Sequence, residues 1–131
     1  MTTIRRSEWL WFALIAASTM VAWLGLFIHN ISDLPGQNAL SPESFYPGVF
    51  SAALLALWLV PSARRIATWA LLVWAAVSLV GGGILSILPI GLFPFVPDQS
   101  LRHYTFHAIY SVSQLPLIWV CLLYTSPSPR D

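Results

Sequence analysis

The sequence predicts an all-α protein, a multi-pass transmembrane bundle of about four helices. Three observations support this fold class: 57% of the 131 residues are hydrophobic, only 8% are charged, and the apolar residues form long runs separated by short polar turns. A soluble domain carries about 25% charged residues. A chain this short has too little interior to hide so much apolar surface from water, whereas hydrocarbon suits such a composition.

The first apolar run predicts a helix over residues 8–29. Its stretch from Trp9 to Ile28 carries no charge and is long enough to cross a bilayer. The preceding Arg5 and Arg6 resemble the start of a signal peptide. However, the run is longer than the apolar segment of such a peptide, and no small-residue cleavage motif ends it. We therefore expect a retained membrane helix.

The other three helices are predicted over residues 45–60, 66–88 and 101–120. A polar loop that includes Asp33 precedes the second helix, for which Ser41 and Pro42 are typical N-cap and first residues. Prolines and a glycine interrupt the apolar stretch 88–97, so we expect it to lie at the membrane interface or to fold onto the bundle. Small residues at helical spacing, among them Gly25 and Gly82, predict close packing of the helices.

Residues 1–120 are predicted to form one integral membrane domain, and residues 121–131 to be a non-native tail. The tail reads CLLYTSPSPRD, which matches the codon-by-codon translation of a transposase sequencing adapter. We therefore expect the fourth helix to be cut near Val120 and the natural protein, of which this chain is then a fragment, to continue differently.

The arginines predict the orientation in the membrane. In a four-span arrangement one side holds four of them: Arg5, Arg6, Arg64 and Arg65. The other side holds Arg102 and most of the acidic residues. The positive-inside rule then places the N-terminus in the cytoplasm, and we expect a prokaryotic plasma membrane. A net charge of +1 without a basic patch does not suggest a nucleic-acid partner.

Three histidines are the candidate ligands of a metal site. His29 lies near the end of the first helix, and His103 and His107 lie four residues apart at the start of the fourth, so all three fall at the outer side. The face that His103 and His107 share continues through Tyr110 and Gln114, a polar stripe that should avoid lipid. Neutral imidazoles can bind a divalent metal or a haem iron, or can relay protons.

We favour a structural role for these residues over a metal site, because the helices lack the additional ligands of a metal motif. We therefore expect no cofactor, and hydrogen bonds to water or between helices. For Gln114 in particular, a bond to a neighbouring helix is the commoner use of a buried amide. Haem or a divalent metal held by His29, His103 and His107 is the alternative.

The motifs present in the sequence restrict the class of function. It shows no catalytic triad, paired carboxylate or nucleotide fingerprint, so an enzyme is not favoured. The first hypothesis is a small non-enzymatic membrane component, with the lipid bilayer and other membrane subunits as partners. A haem- or metal-binding membrane protein is the second hypothesis. The N-terminal part of a transporter is the third.

Overall fold

The computed structural model describes residues 5–127, and all regular secondary structure in that range is helical. The four α-helices are α1 (Arg6–Asp33), α2 (Pro42–Trp58), α3 (Arg64–Val77) and α4 (Leu101–Thr125). A 3₁₀ turn, Pro61–Ala63, precedes α3. A π-helical segment, Ser78–Ile84, and a second 3₁₀ turn, Leu85–Ile87, continue it. The predicted all-α fold is confirmed.

Three helical stretches within residues 5–127 are long and apolar enough to cross a membrane: Arg6–Asp33, Pro61–Ile87 and Leu101–Thr125. The fourth helix, α2, has 17 residues. At about 1.5 Å per residue it is roughly 26 Å long, slightly less than the roughly 30 Å of a hydrocarbon core.

The end of α1 differs from the prediction. The helix continues past His29 to Asp33, so the placement of Asp33 in a loop was wrong. The sequence from 30 to 33 contains no helix breaker. The helix ends where Pro35 disfavours the helical conformation of the residue before it, and Leu34 is accordingly extended, with φ −111° and ψ 135°. Asp33 therefore lies one turn beyond His29 on the same helix face.

The other helix boundaries lie within a few residues of their predicted positions. α2 begins at Pro42, which the sequence indicated as a suitable first residue, and therefore before the predicted bound at residue 45. Ser41 is the N-cap residue, but its hydroxyl accepts the Asn38 N–H at 3.0 Å and caps no helical amide. α4 continues past Val120 to Thr125. The non-native origin of residues 121–131 stays a prediction, and residues 128–131 lie outside the described part of the chain.

One end of the bundle, the arginine end, joins α1, α2 and α3 through Arg64. Its guanidinium lies 2.6 Å from the Glu8 carboxylate and 4.9 Å from the ring centre of Trp58. Trp58 is fully buried, and its indole N–H donates to the Thr68 hydroxyl at 3.0 Å. The core beside it is apolar, with Ile15, Leu71 and Leu117 fully buried.

The opposite end, the histidine end, joins α1 to α2 and α4. The Asn30 amide donates to the Ser44 hydroxyl at 2.9 Å, and Arg102 donates to the Ser32 carbonyl at 2.9 Å. Because α2 reaches Asn30 with Ser44 and the arginine end with Trp58, it runs antiparallel to α1 from one end of the bundle to the other.

Close packing through small residues is confirmed. A Cβ atom on Gly25 of α1 would overlap the Ser113 side chain of α4. A Cβ atom on Gly82 would lie 2.7 Å from the Tyr110 hydroxyl. The absence of side chains at these glycines lets α4 pack against α1 and against the π segment with its backbone close to theirs.

The segment between Leu88 and Ser100 has no regular helix, as predicted. Its apolar side chains project outward, with Leu92 60%, Phe95 53% and Val96 92% exposed. Of the two predicted arrangements, folding of these side chains onto the bundle is therefore wrong. Gln99 ties the end of the segment to the second 3₁₀ turn, because its amide donates to the Ile87 carbonyl at 2.8 Å.

We predict that Gly25→Ala destabilises the bundle, because the new methyl group overlaps Ser113. Overpacking of this kind lowers the free energy of unfolding by about 1–3 kcal/mol. The matched control is Gly81→Ala, where a Cβ atom meets nothing within 4 Å and the change should stay within about 0.5 kcal/mol. Reversible denaturation in detergent, followed by tryptophan fluorescence, measures both. Equal effects of the two substitutions would contradict the packing described here.

Candidate metal centre

Two of the predicted histidines meet at the histidine end, together with Asp33. His29 and Asp33 lie in the last turns of α1, and His107 lies in the second turn of α4. The Nε2 atoms of His29 and His107 are 2.9 Å apart, and His29 Nε2 is 3.3 Å from Asp33 Oδ2. One ligand atom from each of the three residues lies within 4.8 Å of the other two.

The hydrogen bonds of the other ring nitrogens define which atoms point into the centre. His107 Nδ1 lies 3.0 Å from the Gly83 carbonyl oxygen, and His29 Nδ1 lies 3.1 Å from Asn30 Oδ1. Both oxygens can only accept, so each Nδ1 carries the hydrogen and donates it. In the neutral rings both Nε2 atoms are then bare lone pairs, the form that binds a metal.

The orientation of Asn30 is itself fixed by the start of α2. Its amide nitrogen donates to the Glu43 carbonyl at 3.1 Å and to the Ser44 hydroxyl at 2.9 Å. The amide oxygen must therefore face His29. Asn30 is buried, so this bonding is protected from competition by water.

The π segment supplies the acceptor for His107. Gly83 lies in the wide turn Ser78–Ile84 and is buried, and a Cβ atom there would lie 3.2 Å from that of Ser111 on α4. Glycine at this position lets the two backbones approach, which brings the Gly83 carbonyl within reach of the imidazole. Single π turns of this kind are frequent at functional sites.

Asp33 adds a third acceptor to the two imidazoles. Its side chain is 9% exposed, and Oδ2 has no hydrogen-bond partner among the described residues. His29 Nε2 at 3.3 Å and His103 Nδ1 at 3.1 Å are near it, but neither pair is aligned as an N–H···O bond. A buried carboxylate oxygen without a donor is costly. With both rings neutral and protonated at Nδ1, the centre consists of three acceptors facing one another.

The distances between the acceptor atoms indicate which species fits between them. A water molecule with two hydrogen bonds of about 2.8 Å bridges acceptors roughly 4.4 Å apart, too far for the 2.9 Å between the two Nε2 atoms. A proton shared by that pair makes a histidine ring cationic beside the carboxylate, 3.3 Å from His29 Nε2 to Asp33 Oδ2, but gives this oxygen no aligned hydrogen bond. An ion with bonds of about 2.0–2.1 Å in tetrahedral geometry places its ligands about 3.3 Å apart, close to both measured distances.

The remaining predicted site residues lie around this centre. His103 is one turn nearer the start of α4 and contacts Asp33 rather than joining the three converging ligand atoms. Tyr110 is buried, with its ring centre 5.6 Å from that of His29. Deeper in the bundle, the Gln114 amide donates to the Ala22 carbonyl of α1 at 3.0 Å, a bond between helices.

Sequence reasoning missed Asp33 as a candidate ligand and missed Asn30 and Gly83 as the groups that orient the imidazoles. The i, i+4 spacing of His29 and Asp33 would have indicated the carboxylate, had the first helix been extended to Pro35. The spacing of residues carries no signal for the Gly83 carbonyl, because a backbone acceptor is available at every position.

Comparison with protein-family models, with curated proteins and with solved structures finds no match to this chain. The chemistry of the centre is therefore derived from its geometry.

We predict that His29 and His107 are both Nδ1–H tautomers in the metal-free protein above neutral pH. Nitrogen-15 NMR of histidine-labelled protein in detergent distinguishes protonated from bare ring nitrogens. Asn30→Ala removes the acceptor of His29 only, so the tautomer of His29 should change while that of His107 stays fixed by Gly83. An Nε2–H signal from His107 in the unsubstituted protein would contradict the assignment.

Proposed function

We propose that this chain is an integral membrane protein that binds one divalent transition-metal ion through His29 Nε2, Asp33 Oδ2 and His107 Nε2. The observation that carries the proposal is the convergence of three acceptor atoms at the spacing of metal ligands. A cation interacts favourably with all three acceptors at once, and one proton or one water does not. The three residues provide one unit of negative charge, so a divalent ion leaves a net charge of about +1.

The donor set favours a borderline first-row ion. Imidazole nitrogen suits zinc, copper, iron and nickel, whereas calcium and magnesium prefer sites made of oxygen alone. Two histidines and one carboxylate leave one tetrahedral position for water or another ligand. Haem fits less well than a bare ion. An axial pair must lie on opposite faces of a porphyrin, and these two nitrogens are at hydrogen-bonding distance.

The C-terminal end of α1 also favours this assignment. His29 and Asp33 lie at the C-terminal end of α1, where the carbonyl groups of the last turn carry a partial negative charge. A cation bound there interacts with the helix dipole as well as with its ligands.

The proposed topology places the metal outside a prokaryotic plasma membrane and the N-terminus in the cytoplasm. The arginine end contains Arg64 and the start of α1, which agrees with the positive-inside rule. We propose that α2 also crosses, giving four spans, because it extends along α1 from Ser44 at one end to Trp58 at the other. A small thinning of the bilayer accommodates its shorter length.

A bundle of this kind would serve as a metal-holding component on the outer side of a membrane. The helices and short loops of residues 5–127 form no separate soluble domain, which favours a role as a subunit of a larger assembly over that of an independent enzyme. The other hypothesis, part of a transporter, predicts further spans in the intact gene, which resequencing of its 3′ end would show.

We predict that the purified protein binds one Zn²⁺ per chain, and that Asp33→Asn raises the dissociation constant by more than about 100-fold. That loss exceeds the 10–100-fold typical of a group that only supports a ligand. Competition with a chromophoric chelator measures the constant. Zn²⁺ at 100 times that constant should also raise the free energy of unfolding by about 2.7 kcal/mol.

The matched control is Asp98→Asn, a carboxylate at the same end that bonds to the Ser100 hydroxyl and does not belong to the centre. Its dissociation constant should stay within about twofold of the unsubstituted value, as expected for a change remote from the ligands. Failure of the unsubstituted protein to bind Zn²⁺, Co²⁺ or Ni²⁺ would make the proposal wrong and leave a shared proton between the two imidazoles.

We predict that reporter fusions after Gly36 and after Arg65 lie on opposite sides of the membrane. The first should report the periplasm or exterior and the second the cytoplasm, because α2 separates them. A reporter fused after Ser100 should lie on the same side of the membrane as the reporter after Gly36. Two reporters on the same side of the membrane would rule out the crossing of α2, and two cytoplasmic reporters would also make the outer placement of the metal centre wrong.

A further inference from the structure

We propose that His103 and Asp33 form a second, outer metal position, through which the ion reaches the inner ligands His29 and His107. This inference rests on the proposed function, since it concerns how the same centre is loaded and emptied. In it His103 is an exchange ligand that holds the ion transiently and is absent from the final ligand set.

The contact between His103 and Asp33 carries the inference. His103 Nδ1 lies 3.1 Å from Asp33 Oδ2, yet this oxygen receives no hydrogen bond from the described residues. A histidine that served only to orient the carboxylate would donate an aligned N–H. The two atoms are close but are not aligned for a hydrogen bond. They are instead placed as two neighbouring ligands of one metal ion, as the ligand atoms of the inner centre are.

The position of His103 suits a route from water. It lies one turn before His107 on α4, its ring centre 4.6 Å from that of His107, and its side chain is 18% exposed. His107 is 5% exposed. An ion from solution therefore reaches the rings of His103 and of His29, whose side chain is 16% exposed, before it reaches His107.

Two hydrogen bonds hold the outer pair in place. Arg102 donates to the Ser32 carbonyl at 2.9 Å, which fixes the first turn of α4 against the last turn of α1. The backbone N–H of His103 donates to the Ser100 hydroxyl at 3.2 Å as part of the helix cap. The backbones that carry the two ligands are thus adjacent before an ion arrives.

The helix ends make the outer position the weaker one. His103 lies in the first turn of α4, where the exposed N–H groups carry partial positive charge and disfavour a cation. His29 and Asp33 lie at the negative end of α1. With only two protein ligands, the outer position releases its ion readily, and the electrostatic gradient directs the ion inward.

Transfer requires exchange of one ligand at a time. Asp33 Oδ2 stays bonded to the ion throughout, because it is near both His103 Nδ1 and His29 Nε2. The bond to His29 Nε2 forms as a bound water leaves, and the bond to His103 Nδ1 breaks as that to His107 Nε2 forms. The charge of the ion and the number of protein bonds are conserved in the second step.

The test is the kinetics of Zn²⁺ exchange in full-length protein reconstituted in nanodiscs, with His103→Ala as the variant. Stopped-flow mixing with a fluorescent chelator measures association and dissociation. We expect both rates to fall about tenfold or more while the dissociation constant stays within about threefold, since a group present only on the route changes both rates equally. Millimolar imidazole should restore the rates by replacing the missing ligand.

Thr105→Ala, on the exposed face of the same helix turn, is the control and should leave both rates unchanged. A dissociation constant raised 10-fold or more in His103→Ala would overturn the inference, because His103 would then be a ligand or an orienting group. Unchanged rates would overturn it as well. Both results leave the inner centre intact, whereas absence of metal binding in the unsubstituted protein overturns both proposals.

Discussion

The candidate centre depends on two hydrogen bonds that point away from it. Donation by His29 Nδ1 to Asn30 and by His107 Nδ1 to the Gly83 carbonyl forces the bare Nε2 atom of each ring toward the other. The bond between the adjacent residues His29 and Asn30 depends on the start of α2, which orients Asn30, and the bond of His107 depends on the π segment after α3, which contains Gly83. Four helical units, α1, α2, the π segment and α4, are therefore needed to place two lone pairs and one carboxylate oxygen together.

The two ends of the bundle differ in whether their polar groups face partners of complementary charge. At the arginine end, the Glu8–Arg64 pair is satisfied within the protein and lies over Trp58, so that end has opposite charges in contact. At the histidine end, acceptors face acceptors, an arrangement that is unfavourable until a cation joins them. Packing of α4 against α1 at Gly25 and against the π segment at Gly83 holds the acceptors together.

The sequence predicted the fold class and four helices because apolar runs of membrane length are a signal contained in each segment alone. It predicted His29, His103 and His107 as candidate ligands from their common place at the outer helix ends, and the structure brings the ring nitrogens of His29 and His107 together. Asp33 was missed through an error of helix length at Leu34-Pro35, a local feature that careful use of the proline rule would have corrected. Gly83 is a different case: its role depends on a π turn and on contact with α4, which arise only from tertiary packing.

The proposed metal ion would stabilise this bundle more than its few bonds suggest. The unfolded chain does not bring His107 close to His29 and Asp33, which lie far earlier in the sequence, so the binding free energy appears largely as stability of the folded state. Without an ion, the three acceptors oppose the contact between α1 and α4 that the small residues favour. Occupancy by the proposed ion would remove that opposition and add bonds across the same interface, so metal binding and helix packing would reinforce each other at one place.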